Sequence, residues 1–401
     1  MTYLFQNEQN TDAFGRLRVS TPLTLFDSSH RYSDNGLWAT ANTSGSTATF
    51  NTSQGLVDLS VTSDSGSSVV RETIKVFAYQ PGKSLLVLNT FVMSPAKPNL
   101  VQRIGYFGAD NGMFIELNGS NLYFVERSSV SGALVETHIP QSQWNYDVFD
   151  GNGASGITLD ISKAQIMFMD IEWLGLGSVR MGFVIDGKFY LAHTFHHANS
   201  ITSTYITTAC LPIRYEIFNS AATSGASTLK QICSSVISEG GYELRGKQAA
   251  VSTPIGTPFT LTSASTYYPV ISIRLKSTRL DAIAIITALS VLPTTQGNFH
   301  WRLNSGGVTT GGTWVSAGTD SSIEYNITGT SYTDGRALAA GFTSATNQSA
   351  SSVDILRDAL FKFQLERNGL TSTPYEITLN VASDGAADTI FANLDWEEVS
   401  R

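Results

Sequence analysis

Charge is scarce in this 401-residue chain: Asp, Glu, Lys and Arg together make 14% of it, against roughly 25% in an average soluble domain. Its surface must therefore be built largely from Ser, Thr, Asn, Gln and Gly. These residues disfavour helix interiors and suit turns and exposed strand faces. Cysteine is nearly missing. Two residues, Cys210 and Cys233, cannot make a disulfide framework, and their spacing is not that of a metal knuckle. Two buried thiols are expected, with a bond between the pair as the other reading. Positive charge is short as well. A net charge of −8 excludes the broad basic footprint that nucleic-acid binding requires. No stretch approaches the ~20 apolar residues of a membrane span. Met1 to Thr11 lacks the basic start and apolar run of a secretory signal. Neither membrane insertion nor export by its own signal is expected.

Several chemical signatures are absent too. There is no Walker sequence, no G-x-S-x-G and no H-E-x-x-H, so phosphate cradles, nucleophile elbows and zincin helices have no support. Gly175, Gly177 and Gly182 in "GLGSVRMG" do not space as a dinucleotide fingerprint. The acidic turns at Gly108 and Asp150 lack the rest of a calcium loop.

What is present is alternation. "TIKVFAYQ", "LLVLNTFVMS", "LYFVERS", "AQIMFMDIEW", "SVRMGFVID", "KFYLAHTFH" and "LPIRYEIF" all read as strands. Asn-Gly and Asp-Gly turns separate them, most clearly in the hairpin "VIDGKFY" at Val184 to Tyr190. With 21 Phe, 15 Tyr and 34 Gly, the balance is that of an all-β protein. Residues 246–257 are polar, hold Pro254 and lack periodicity, and so read as a linker. A second β pattern follows, including "AIAIITALSVL", "SSIEYNIT", "YEITLNVAS" and "ALFKFQLER". In the last of these, Phe361, Phe363 and Leu365 fall on one face and Lys362, Gln364 and Glu366 on the other. A short helix is drawn at "SSVDILRDA". The expected architecture is an extended arm over residues 1–32, a large β-sandwich over 33–245, the linker, and a smaller β-sandwich over 258–401. The first sandwich most resembles a concanavalin-like or laminin-G-like jelly roll.

Two stretches invite chemistry. In "FMDIEWLG", Asp170 and Glu172 lie two apart on a strand and point to one face. Paired carboxylates on one sheet face are the equipment of glycoside hydrolysis. Sandwich glycosidases of the laminarinase type carry Glu-x-Asp-x-x-Glu. Here Phe168 and Trp173 stand at the outer positions, so a solvated strand face is the favoured reading and a glycan or acid site at Asp170, Glu172 and Trp173 the alternative. In "HTFHH", His193 and His197 share a strand face while His196 opposes them, so three metal ligands do not converge. No catalytic residue, metal or cofactor is expected. Aromatics in "WNYDVFDGNG" and "STYITTA" read as exposed near loops.

The segment "DAFGRLRVSTPLTLFDSSHRY", Asp12 to Tyr32, resembles the amino-terminal segment of a family of virion structural proteins in tailed bacteriophages, notably marine and cyanobacterial ones. "DIEWLGLGSVRMGFVIDGKFYLAHTFHHAN", "TACLPIRYEI", "ISIRLKSTRLDAIAIITALSVLPTT" and "SSIEYNITGT" are similar to the same family's framework. The resemblance implies a particle component located in the virion: capsid decoration, fibre, or tail and baseplate part. Its partners would be other capsid or tail proteins, with a homo-oligomer, a trimer by analogy with phage fibres, implied as well. In the arm, Phe14, Leu23, Leu25 and Phe26 supply apolar anchors, and Arg16 and Arg18 share one face with Leu17 and Val19 opposite. Such a segment suits docking onto a neighbouring subunit; the other reading is the first strand of the chain's own sandwich. The functional alternatives are a receptor-binding fibre or lectin recognising host surface polysaccharide, and a tail-associated glycan depolymerase using Asp170 and Glu172.

Overall fold

A computed structural model describes residues 20–333, 335–345, 352–355 and 361–400. The first unit is built from β1 Leu23–Ser29, β2 Trp38–Thr43, β3 Thr47–Asn51, β4 Leu56–Val61, β5 Ser68–Thr73, β6 Leu85–Val92, β7 Leu100–Phe107, β8 Gly112–Asn118, β9 Asn121–Ser128, β10 Val135–Pro140, β11 Gln165–Ile171, β12 Val179–Ile185, β13 Lys188–Phe195, β14 Ile213–Asn219 and β15 Ser227–Ser238. An eight-stranded sheet runs β13-β12-β11-β6-β15-β4-β3, with β1 also on β15, and a seven-stranded sheet runs β10-β9-β8-β7-β14-β5-β2. Side chains of period two meet between them. Leu85, Val87 and Phe91 of β6, Met167 and Met169 of β11, and Ile213, Tyr215 and Ile217 of β14 are all in this core.

The second unit is a smaller sandwich. Its strands are β16 Lys247–Ser252, β17 Phe259–Leu261, β18 Tyr268–Leu275, β19 Ile283–Pro293, β20 Gly297–Ser305, β21 Thr309–Thr310, β22 Val315–Ser316, β23 Ile323–Asn326, β24 Ser331–Tyr332, β25 Arg336–Ala345, β26 Ser352–Ile355, β27 Arg367–Asn368, β28 Thr373–Pro374, β29 Ile377–Ser383 and β30 Asp388–Ser400. A five-stranded sheet, β16-β30-β19-β26 with β17 on β30, faces a six-stranded one, β22-β23-β18-β29-β20-β25. Two all-β sandwiches are thus present, as the alternation implies.

Five expectations are corrected. "TIKVFAYQ", read as a strand, is one only at Thr73, where β5 ends; Ile74 to Gln80 are mostly buried irregular chain. The stretch taken as a linker contains β16, which pairs with β30 from Lys247↔Glu398 to Ser252↔Asn393. It lies at a sheet edge and buries only Val251, so it carries no apolar alternation. The helix drawn at 351–359 is occupied at Ser352–Ile355 by β26, antiparallel to β19. The strand drawn through "ALFKFQLER" is a 3₁₀ turn at 361–363, and Gln364 and Glu366 are buried beside Phe361, Phe363 and Leu365. These two polar residues are spent as ties, which a periodicity argument cannot see. Finally, Trp144, Phe149 and Tyr205 are core residues, not exposed aromatics. Both cysteines are thiols, Cys210 buried and Cys233 half-buried.

The arm divides. Phe14, Arg16, Leu17 and Arg18 lie outside the described residues. Leu23, Leu25 and Phe26 belong to β1, which pairs with the second half of β15, while β4 pairs with its first half. Phe26 is buried, its ring 5.0 Å from Phe77 and 6.1 Å from Trp38. As an apolar anchor it serves the chain's own core, because an unfilled half-edge of β15 lies beside it.

The outer face of the seven-stranded sheet carries a ladder of charges that leads into the second unit. Arg127 bonds Glu136 (2.7 Å), Arg103 meets Glu136 (3.4 Å), Glu116 (2.6 Å) and Glu216 (3.6 Å), and Arg214 joins Glu216 (2.6 Å) to Glu72 (3.1 Å). Glu72 then bonds Arg367 of the second unit at 2.6 Å. Phe107 and Phe114 lie beneath, with guanidinium groups 5.0–5.6 Å from their ring centres. Around this tie, the Arg367 backbone amide donates to the Ile74 carbonyl (2.8 Å) and the Gln364 side-chain Nε2 to the Val76 carbonyl (2.8 Å). Val76, Ala78, Cys210, Ile283, Ile285 and Phe361 form an apolar cluster across the same junction. Removing one member of a buried charge set strands its partners. Glu72→Ala is therefore expected to cost about 3 kcal/mol or more, read by chemical denaturation. A loss below about 1 kcal/mol, the worth of a surface pair, would remove Glu72 as the tie between units.

Candidate functional site: a groove on the eight-stranded sheet

Strand parity sets the site. On β11, Met167, Met169 and Ile171 enter the core, so Ile166, Phe168 and Asp170 face outward. On β12, Val179, Met181 and Phe183 enter the core, leaving Arg180, Gly182 and Val184 outside. The register opposes Asp170 to Arg180 and Phe168 to Gly182. Asp170 and Arg180 form an ion pair. At Gly182 an added Cβ would strike the Tyr190 carbonyl and the Phe168 ring; the missing side chain is what lets that ring lie flat across the neighbouring strand. Phe189 then packs edge-on to Phe168 with centroids 5.0 Å apart.

Two hollows share the Asp170–Arg180 pair. One, of about 360 Å³, is apolar and lined by Leu86, Phe168, Phe189 and Leu191, with Glu239 at its rim. The other, of about 460 Å³, is lined by Tyr79, Lys83, Tyr146, Glu172, Thr194 and His196. Tyr79 and Lys83 continue into a third hollow of about 490 Å³ with Tyr242, Glu243 and Arg245, toward the junction of the two units. The three together make one open groove. Burial pushes the Asp170 carboxyl up, and this outweighs the opposing effect of Arg180.

Asp170 and Glu172 do face one groove. Glu172 stands just past β11, and its carboxylate accepts from the Ser178 amide at 3.3 Å. Trp173 does not line the hollows that hold them: its ring packs edge-on to Tyr79 at 5.9 Å, and it lines a hollow with Ala209 and Cys210 that adjoins the third through Tyr79, Pro81 and Val399. Arg180, Tyr79 and Phe189 were not singled out from the sequence, whereas Tyr146 is one of the "WNYDVFDGNG" aromatics read as exposed, and it is exposed. The signal available was the "VIDGKFY" hairpin, which pairs β12 with β13; the pairing of β11 with β12 was needed to bring Arg180 to Asp170.

The three histidines of "HTFHH" go to three places. His196 is exposed and lines the groove. His193 is buried, accepts from the Asn145 amide at 3.3 Å, and is pushed by burial down to about 4. His197 pins the groove wall. Its Nδ1 meets the Gly177 carbonyl (2.5 Å), its Nε2 meets Glu126 (2.7 Å), and its ring stacks on Tyr205 at 3.9 Å. The Tyr205 hydroxyl in turn donates to the Glu172 carbonyl at 3.1 Å. Among the described residues, three potential metal ligands converge at Glu116, Glu136 and His138. Both carboxylates there already hold Arg103, so guanidinium supplies the positive charge a cation would bring.

No protein-family profile matches the chain, and no curated protein does. Solved structures do. A Bacillus licheniformis β-glucanase is 14% identical, with a TM-score of 0.36, covering 53% of this chain and 96% of its own. The Emp47p carbohydrate recognition domain is 11% identical, TM-score 0.35, covering 57% and 99%. Peanut lectin is 10% identical, TM-score 0.30, covering 55% and 98%. Identities and scores this low leave function to the geometry of the groove.

His197 carries a pH prediction. Burial lowers its pKa, but the Glu126 carboxylate and the Gly177 carbonyl, both acceptors, more than reverse this, and the net shift is upward from 6.5. Its contribution is fully present below 6.5 and is lost as pH rises through the raised folded value. By NMR, the His197 ring is expected to titrate above 6.5, and amide exchange in the turn at 173–177 to quicken once it deprotonates. A midpoint unchanged in Glu126→Gln would sink this account.

Proposed function

We propose that the chain is a structural component of a tailed-phage particle that recognises surface polysaccharide along this groove. The observation that carries the recognition half is the groove's continuity. A run of hollows fits an extended chain of sugar units better than one compact ligand. Its furnishing suits such a ligand: a pyranose presents an apolar C–H face and a rim of hydroxyls. Phe189 and Tyr146, 56% and 55% exposed, supply rings for the face. Asp170, Arg180, Glu172 and Lys83 supply acceptors and donors for the rim. The particle half is supported by the sequence resemblance, which runs from the arm through both sandwiches.

The proposal is binding without cleavage. Hydrolysis needs two carboxyl groups flanking the scissile bond. Asp170 is engaged by Arg180, and the outward position two residues before it holds Phe168, part of an apolar floor. Of the other carboxylates lining the groove, Glu239 accepts from the Ser84 hydroxyl (2.8 Å) and Glu243 is paired with Arg245, while Glu172 is held by the Ser178 amide.

Phe189→Ala and Arg180→Ala are each expected to weaken retardation in polysaccharide affinity gels about tenfold, the worth of one ring or charged bond. No new reducing ends should appear on incubation. Retention unchanged in both variants, or release of sugar, would overturn this reading. For the particle, a chain lacking residues 1–19 is expected to stay folded and fail to incorporate into virions. A chain lacking residues 1–32 loses β1 and Phe26 from the core and should melt earlier. Normal incorporation of the shorter deletion would exclude the arm as the docking element.

A further inference from the structure

The second sandwich carries a feature that the groove does not use. On β20, Phe299, Trp301 and Leu303 are core residues, so His300 and Arg302 face outward. β25, the edge strand beside β20, opposes Phe342 to His300 and Gly341 to Trp301. A Cβ at Gly341 would strike the Trp301 indole. Glycine there seats β25 close on the indole and thereby holds Phe342 on the outer face. Phe342 is 78% exposed, far more than its ring would be in any core. Its ring lies 4.3 Å from that of His300, at 30°. His300 is hydrogen-bonded through Nδ1 to the Tyr267 hydroxyl. The Arg302 guanidinium stacks on the Tyr267 ring at 4.3 Å. Four side chains from three segments thus form one continuous platform of rings with a cation at its end.

Arg302 is the unusual member. On the same sheet, Arg274 is paired with Glu324 and Arg336 with Glu366. Among the described residues, no carboxylate reaches Arg302 within salt-bridge distance. Its ring partner fixes the guanidinium plane while leaving the N–H edge uncommitted. In a chain of net charge −8, a half-buried arginine left without an acid beside an exposed ring is a complement to a negative ligand group. The charge is single, whereas a nucleic-acid track needs several cations along the backbone. Across from Arg302 stand Ala340 and Asn380, and across from His300 on the side away from Phe342 stands Ala382; these short side chains border the platform and let a flat ring lie on it.

We propose that this face is a second saccharide site, distinct from the groove, which takes a sugar unit bearing one carboxylate. The Phe342 ring would receive the sugar's C–H face, and Arg302 its carboxylate in a bidentate pair.

The test uses the full chain and tetrasaccharides of galacturonate, glucuronate and mannuronate, followed by calorimetric titration, with their methyl esters as uncharged controls. At least one acid is expected to bind tenfold or more tightly than its ester. Phe342→Ala should weaken acid and ester alike by about tenfold, and Phe342→Tyr should retain binding. Arg302→Gln should bring the acid down to the affinity of its ester. Acid binding that Asp170→Asn weakens and Arg302→Gln spares belongs to the groove of the first sandwich and would overturn the proposal. Unaltered thermal melting of each variant confirms folding. Failure of all three acids to bind, equal binding of acid and ester, or indifference to Phe342→Ala would overturn the proposal. So would tighter binding of an eight-residue thymidine oligonucleotide that Arg302→Gln abolishes.

Discussion

The structure depends on a carboxylate shared between two guanidinium groups. Glu72 holds Arg214 of its own sheet and Arg367 of the second sandwich, and it closes a ladder that begins four strands away at Arg127. Three charges brought together out of water are costly unless each is satisfied. Here each is. The ladder alternates sign across neighbouring strands, and flat aromatic rings beneath it replace water under the guanidinium planes. A chain with so little charge spends a disproportionate part of it on this one face. That concentration makes the two sandwiches one body, and it places Tyr79, Tyr242 and Arg245 side by side at the junction where the groove ends.

The groove follows from simpler physics. A strand of period two must send alternate side chains outward, and β11 sends out Ile166, Phe168 and Asp170. On an ordinary solvated face these would be polar. An aromatic floor beside a paired acid and arginine departs from that expectation, and such departures are where ligands are met. The wall is held independently of the floor. His197 draws the turn after Glu172 toward Glu126, so the carboxylate and the aromatic floor sit on separately supported elements. The platform on the second sandwich obeys the same parity rule, with a glycine again giving a large ring its seat.

Much of the fold was legible in the sequence, because burial on one face writes itself as alternation. Strands β6, β11, β12 and β13 could be read from hydrophobicity, and the Asp-Gly turn of β12 and β13 from backbone chemistry. Legibility failed where polar residues do structural work. Gln364 and Glu366 look like solvent-facing positions, yet they are buried because they bond a main-chain carbonyl and a lysine of the other sandwich. The edge strand β16 has a wet face and a single buried valine, so its composition equals that of a linker. The arm's Phe26 carries no mark that distinguishes an anchor for a neighbour from a core residue of the same chain.

The sequence by itself determined the class: all-β, two sandwiches, little charge, and the outward direction of Asp170 and Glu172, since those follow from composition and from a period of two. Only the tertiary structure decided which residues stand opposite them. Registers such as Asp170 to Arg180, Phe168 to Gly182 and His300 to Phe342 are set by pairing between strands and by the fit of rings over glycines, which local sequence does not encode. The two candidate binding faces are properties of those registers, as is the Glu72 tie, whose two partners lie 142 and 295 residues away along the chain.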